Sequence, residues 1–184
     1  RAEQLQKNND GTFVLHFQNG NTIQFNINLK PYVFSDSNGN TVTLTYVGND
    51  VTTIRHSDGD QIVLIYNSDG RITNLIDPNG DVTTYTYNAN NTLLESVTAP
   101  DGKITRYSYL VENGFYAISK IIRPGNVTER YSYDDSGRLI ESISNNNKNT
   151  LTFKYDTENR ITAVTDGVGS ALYVYVNENG QVTT

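Results

Sequence analysis

Tyr131-Ser132-Tyr133-Asp134-Asp135-Ser136-Gly137-Arg138-Leu139 decides how the rest of the chain is read. Tyr131 and Tyr133 are two residues apart, so in a strand both rings lie on one face. Asp134 to Gly137 places an acid first and a glycine fourth. That order predicts a type I turn closed by a left-handed residue, a common hairpin connection.

Outward from this stretch the same features return. Aromatic markers fall at Phe25, Tyr46, Tyr66, Tyr87, Tyr109, Tyr133, Tyr155 and Tyr175, spaced 20 to 24 residues apart. Two residues before each marker stands another large side chain: Ile23, Leu44, Leu64, Tyr85, Tyr107, Tyr131, Phe153 and Tyr173. A fixed period of this length marks an internal repeat, and each unit is expected to end in a strand with a ring pair on one side.

Turns separate the strands. Asn67-Ser68-Asp69-Gly70 and Asn177-Glu178-Asn179-Gly180 repeat the Asx-first, Gly-fourth order, and Asn88-Ala89-Asn90-Asn91 and Asp156-Thr157-Glu158-Asn159 put Asn in the left-handed place. Asn tolerates positive φ better than other residues with a Cβ. A second turn follows about ten residues later, as in Asp77-Pro78-Asn79-Gly80, Ala99-Pro100-Asp101-Gly102 and Asp36-Ser37-Asn38-Gly39. Gly70, Gly80, Gly102 and Gly137 are therefore structural markers alongside the aromatic ones. Between the turns lie β-rich runs such as Arg71–Ile76 and Asp81–Tyr87, so each period reads strand, turn, strand, turn.

The repeats predict an all-β array of antiparallel hairpins with almost no helix; Ala2 to Lys7 alone shows a weak helical period. Residues 1–10 are expected to be a flexible or fragment-start segment, and residues 11–184 a single array of about seven units. Two places are irregular. The unit from Tyr109 to Tyr133 carries Asn113-Gly114-Phe115-Tyr116, an altered hairpin loop, and Arg123-Pro124-Gly125-Asn126 in place of the second turn. Pro31 in Leu29-Lys30-Pro31-Tyr32-Val33-Phe34 demotes that run to an edge or a loop.

Composition agrees. Of 184 residues only 36% are hydrophobic, and thirteen of those are tyrosines, so a thick aliphatic core is not expected. Charged residues are 18% and the net charge is −6, which is too mild for disorder. The chain has no cysteine, hence no disulfide and no thiolate chemistry. No apolar run is long enough to span a membrane. The acidic balance, with a pI near 4.8, argues against nucleic acid and anionic membranes. Lacking an initial Met and a signal-like stretch, the chain reads as a piece of something longer.

Tyr133-Asp134-Asp135-Ser136-Gly137-Arg138-Leu139 and Tyr155-Asp156-Thr157-Glu158-Asn159-Arg160-Ile161, with the looser Tyr66-Asn67-Ser68-Asp69-Gly70-Arg71-Ile72, resemble the YD repeat of the Rhs/YD-repeat proteins. The resemblance extends from Gly11 to Thr184, although Tyr46, Tyr109 and Tyr175 are followed by Val47, Leu110 and Val176 instead of an acid. It implies a spiralling, solenoid-like sheet that can close into a shell, as in bacterial Rhs and wall-associated toxins, insecticidal toxin complexes and teneurins. In the toxins that shell encloses a C-terminal effector. The self-cleaving core that follows the repeats in many members has no match here, so no protease residues are carried over.

Candidate chemistry is sparse. His16 and His56 stand forty residues apart in alternating runs, the pattern of surface or edge strand positions. Asp58 with Asp60, Asp134 with Asp135, and Asp36 occupy turn positions that their side chains explain structurally, which leaves little for a glycosidase pair. Asp36-Ser37-Asn38-Gly39-Asn40 lacks the distal Glu of a calcium loop. Asn90-Asn91-Thr92 and Asn126-Val127-Thr128 are formal glycosylation sequons. No catalytic, cofactor or metal residue is assigned.

The row of rings, with Tyr46, Tyr66, Tyr85, Tyr87, Tyr107, Tyr109, Tyr131, Tyr133, Tyr155, Tyr173 and Tyr175, is expected to stack strand upon strand in place of aliphatic residues. Function is then expected to be that of a non-enzymatic scaffold: a shell segment of a secreted or cell-wall bacterial protein, whose partners are neighbouring repeats and an effector domain. A carbohydrate-binding or adhesion surface is the alternative, and a glycoside hydrolase a distant one. The uncapped last strand is expected to pair edge to edge with another copy.

Overall fold

The computed structural model describes residues 3–112, 115–144, 149–156, 161–166, 173–176 and 182–183. The chain divides into two units, residues 1–85 and 86–184. Residues 1–85 form β1 (Gln4–Lys7), β2 (Phe13–His16), β3 (Thr22–Phe25), β4 (Pro31–Ser35), β5 (Thr41–Val47), β6 (Asp50–His56), β7 (Gln61–Tyr66) and β8 (Ile72–Ile76). They end within β9 (Val82–Tyr87), which runs across the division. Residues 86–184 form β10 (Leu94–Thr98), β11 (Ile104–Glu112), β12 (Phe115–Arg123), β13 (Val127–Tyr133), β14 (Leu139–Ser144), β15 (Asn149–Asp156), β16 (Ile161–Asp166), β17 (Tyr173–Val176) and β18 (Val182–Thr183).

Within each unit every strand pairs antiparallel with its neighbours in sequence, as β5 does with β4 and β6 and β13 with β12 and β14. This is the expected hairpin array. Among the described residues the helical content is one turn of 3-10 helix at Pro124–Asn126, in the place of a second turn.

The turns close as the sequence predicts. In the Asn67 turn the Gly70 N–H donates to the Asn67 carbonyl at 3.1 Å and the Asn67 N–H donates to the Arg71 carbonyl at 2.9 Å. The Asn67 Oδ1 accepts from the N–H groups of Asp69 and Arg71. Asp36, Asp77 and Asp134 hold their turns by the same two bonds. Such Asx bonds satisfy backbone donors that the reversal of the chain leaves without ladder partners. Asn91 takes the left-handed place at φ 51°. The turns at Asn177 and Asp156–Asn159 and the loop residues Asn113 and Gly114 lie outside the described residues.

Three local readings change. The weak helical period of Ala2 to Lys7 gives no helix among its described residues: Gln4–Lys7 is β1, paired with β2 from Gln4↔His16 to Lys7↔Phe13. The array thus includes residues before Gly11. Pro31 makes neither an edge nor a loop, because it is the first residue of β4, which pairs with both β3 and β5. A first strand position tolerates Pro, since the missing N–H is not yet needed by the ladder. The turn before it, Asn26 to Leu29, went unseen because Leu29 sits in the left-handed place at φ 61°, where Gly or Asn is the usual signal.

No described residue is fully buried. Along the strands of Tyr46, Tyr66, Tyr87, Tyr109, Tyr133 and Tyr155 the marker and the residue two before it are half-buried and the residue between them is exposed, as in Leu44, Thr45, Tyr46 and again in Tyr131, Ser132, Tyr133. The ring pair therefore occupies the better covered face of its sheet.

Candidate functional site

The repeated chemistry of the chain sits at the marker tyrosines. Five hairpins contain a register shift beside their marker, while the β15–β16 hairpin with Tyr155 keeps an unbroken register. In the β5–β6 hairpin Tyr46 pairs with Val51 while Thr45 pairs with Thr53, so Thr52 is an extra residue. The same bulge leaves out Tyr32 opposite Phe25, Thr73 opposite Tyr66, Ser119 opposite Tyr109 and Ile140 opposite Tyr133. A bulge disrupts the local ladder and leaves a backbone group to be satisfied elsewhere.

The next marker supplies the missing donor. The Tyr46 hydroxyl donates to the Pro31 carbonyl at 2.6 Å, Tyr66 to Val51 at 2.8 Å, Tyr109 to Leu94 at 2.9 Å, Tyr133 to Ile118 at 2.8 Å and Tyr155 to Leu139 at 2.7 Å. Pro31, Val51, Ile118 and Leu139 are the residues paired with the preceding markers Phe25, Tyr46, Tyr109 and Tyr133. The hydroxyls of Tyr46, Tyr66, Tyr133 and Tyr155 thus cap the carbonyl at the bulge one hairpin back. Ring-on-ring stacking was the expectation, and Phe115 does meet Tyr133 edge to face at 5.8 Å, but what recurs is the hydroxyl contact. It explains why the position is tyrosine where phenylalanine would pack as well.

The acid and the base of the repeat complete the contact. Asp134 Oδ2 accepts from Arg138 Nε at 2.8 Å, and the Arg138 guanidinium lies 4.7 Å from the centre of the Tyr155 ring. The Arg138 N–H, and then its guanidinium, hold the Asp134 carboxyl below the usual carboxylate range. In the other unit Lys30 plays the cation, 5.2 Å from the centre of the Tyr46 ring and bonded to the Gly48 carbonyl and Asn49 Oδ1 at the β5–β6 tip. Both cations immediately follow the left-handed residue of their turn, Gly137 or Leu29. The Arg in Tyr-Asp-x-x-Gly-Arg is the sequence signal for this role, and its meaning shows only once the fold brings the next ring beneath it.

The remaining sequence markers divide cleanly. Tyr85, Tyr87, Tyr107 and Tyr131 are half-buried. Tyr131 donates to Glu129 Oε2 at 2.8 Å, and Glu129 takes both arms of Arg123 across the Pro124–Asn126 turn. Burial first, and the Glu129 carboxylate second, push the Tyr131 phenol up to about 12. Burial also raises Tyr109 and Tyr133. Gly70, Gly80, Gly102 and Gly137 all sit at positive φ, between 72° and 86°. At Gly137 the Phe115 ring comes down onto the turn, so that a Cβ there would meet it at 2.6 Å. Tyr173 and Tyr175 belong to β17, whose side chains lie outside the described residues.

The candidates for other chemistry are absorbed by turns. His56 pairs with Asp58 at 2.8 Å, and Asp36 binds the backbone of Asn38 and Asn40. Among the described residues no three potential metal ligands cluster.

Segments 66–103 and 133–171 match the family model described as RHS Repeat. These two segments are Rhs repeats. The matched segments contain the Asn67 and Asp134 turns described above. No curated protein matches the chain. Its fold is similar to that of a chain in the structure of the Photorhabdus luminescens Tc holotoxin pore, at 15% identity and a TM-score of 0.61, over 89% of this chain and 11% of that one. A crystal structure of TcdB2-TccC3 matches at 11% identity and a TM-score of 0.35, over 84% of this chain and 12% of that one. The chain thus spans only 11–12% of the length of these proteins.

Proposed function

We propose that this segment is a structural scaffold within a YD-repeat shell in a larger exported bacterial protein, where it helps to enclose or present an effector domain, and that it is not itself a catalyst. The observation that carries this is the hydroxyl contact from Tyr46, Tyr66, Tyr133 and Tyr155 to the bulge of the hairpin before each. Residues that could do chemistry are spent on holding one repeat to the next, which is what a wall requires. The Rhs match and the likeness to a toxin-complex fold support the same role.

In such a shell the covered, marker-bearing face looks inward. The segment has no cysteine of its own, so single thiols placed in it can be followed both alone and in a parent freed of its other reactive cysteines. His56→Cys places a thiol on the marker face, and Thr45→Cys places one on the opposite face. A polymer-linked maleimide should label Thr45→Cys in both the isolated segment and the parent, whereas His56→Cys should react in the segment and resist in the parent. Equal labelling of both sites in the parent overturns the proposal.

A further inference from the structure

We propose that the first unit carries a saccharide-binding groove on its marker-bearing face. The register places Ile23, Phe34, Val42 and His56 in one row, each opposite the next across β3, β4, β5 and β6. Directly paired side chains on one face of a sheet form a continuous surface. Phe17, at the start of the turn after β2, closes one end, and the row becomes the floor of a cleft of about 530 Å³. That volume lies within the range of roughly 300–1,000 Å³ usual for small-ligand sites. The turns at Phe17–Gly20 and Asp36–Gly39 stand against each other as a wall, close enough that a Cβ on Gly20 would lie 3.1 Å from the Ser37 Cβ.

The chemistry of the lining selects the ligand. Phe17 and Phe34 offer ring surface, which suits the C–H faces of a pyranose. Asn19, Asn21, Asp36 and Asn40 set amides and a carboxylate around them. Asp36 is held as a fixed acceptor by the N–H groups of Asn38 and Asn40 and by the Asn40 side-chain amide at 2.7 Å. Asn19 Oδ1 takes the Asn21 N–H at 3.1 Å, which leaves its NH2 as a donor. No Lys or Arg lines the cleft, and Asp36 repels anions. A neutral ligand rich in hydroxyls and with one apolar face fits this set; a phosphate, an acidic glycan or a nucleotide does not. The site differs from the repeated rings such as Tyr85 and Tyr107, because it depends on the row from Ile23 to His56 with Phe17 beside it.

A glycan array followed by calorimetry on the 184-residue chain tests the site. Binding to neutral glycans is expected, weakened at least tenfold in Phe34→Ala and in Asp36→Asn, and unchanged in Tyr131→Phe. Asp36→Asn keeps the turn, since Asn26 and Asn67 serve in the same position with the same backbone bonds. It therefore reads out binding even if circular dichroism shows that Phe34→Ala disturbs the sheet. No neutral glycan bound at millimolar concentration, binding that ignores both substitutions, or binding of basic peptides alone each overturns the proposal.

Discussion

Arg138 lies over the ring of Tyr155, its guanidinium carbon 4.7 Å from the ring centre, while the hydroxyl of the same tyrosine donates to the carbonyl of Leu139 at 2.7 Å. One tyrosine is thus gripped by two consecutive residues of the preceding hairpin, through its face and through its oxygen. Asp134 fixes the Arg in place. The Tyr-Asp-x-x-Gly-Arg pattern is a description of this contact as much as of a turn.

Removing the hydroxyl alone should isolate its part. Tyr133→Phe leaves the Ile118 carbonyl without its donor and should cost about 1 kcal/mol. Urea unfolding should show a lower midpoint at an unchanged slope. An unaltered midpoint would mean that water serves the carbonyl equally well.

Arg138→Ala should destabilise by about 0.5–1 kcal/mol, because the pair with Asp134 is half exposed and most of the effect comes from the ring contact. Arg138→Lys should lose less. Lys30 already occupies the equivalent place over Tyr46.

Glycines in equivalent turns should differ in tolerance. Gly80→Ala meets open space and should cost about 1–2 kcal/mol for its positive φ alone. Gly137→Ala adds displacement of the Phe115 ring from its place against Tyr133 and should cost more. The reverse experiment is Leu29→Asn, which should stabilise by about 0.5–1 kcal/mol by relieving a left-handed leucine. Thermal unfolding distinguishes the three.

Alkaline pH should weaken the second unit. The Tyr131 phenol is raised from 10.0 to about 12, so its contribution is complete below pH 10 and is lost as pH rises towards 12. Glu129 is shifted the other way, lowered by Arg123 and then by Tyr131. Its contribution is present above the ordinary carboxylate range and is lost as pH falls through the depressed value. Tyr131→Phe should make the alkaline fall in urea midpoint shallower, and an identical slope would contradict the assignment.

Much of this was legible before the structure. Asx-first, Gly-fourth turns mark the hairpins because a left-handed residue and an Asx cap are local requirements that leave a local trace. The alternation around Tyr133 placed the ring pair on one face for a similar reason. The bulges were not legible. Thr52 and Thr73 each turn a hydroxyl to the carbonyl before the marker, but Tyr32, Ser119 and Ile140 share no residue type with them or with one another, so no one residue type marks the extra position. Leu29 and Pro31 misled for the opposite reason, since neighbouring strands hold each of them in a place that local preference disfavours. The groove at Phe34 escaped notice because it is made by register between four strands.

Successive hairpins are held together by the tyrosine hydroxyl at the preceding bulge, and hydrogen–deuterium exchange on Tyr133→Phe tests this most directly. Faster exchange is predicted at the β11–β12 bulge, around Ser108, Tyr109 and Ile118, one hairpin before the substitution, with the Asp134 turn itself little changed. Exchange altered only at the Asp134 turn, or not at all, would contradict it.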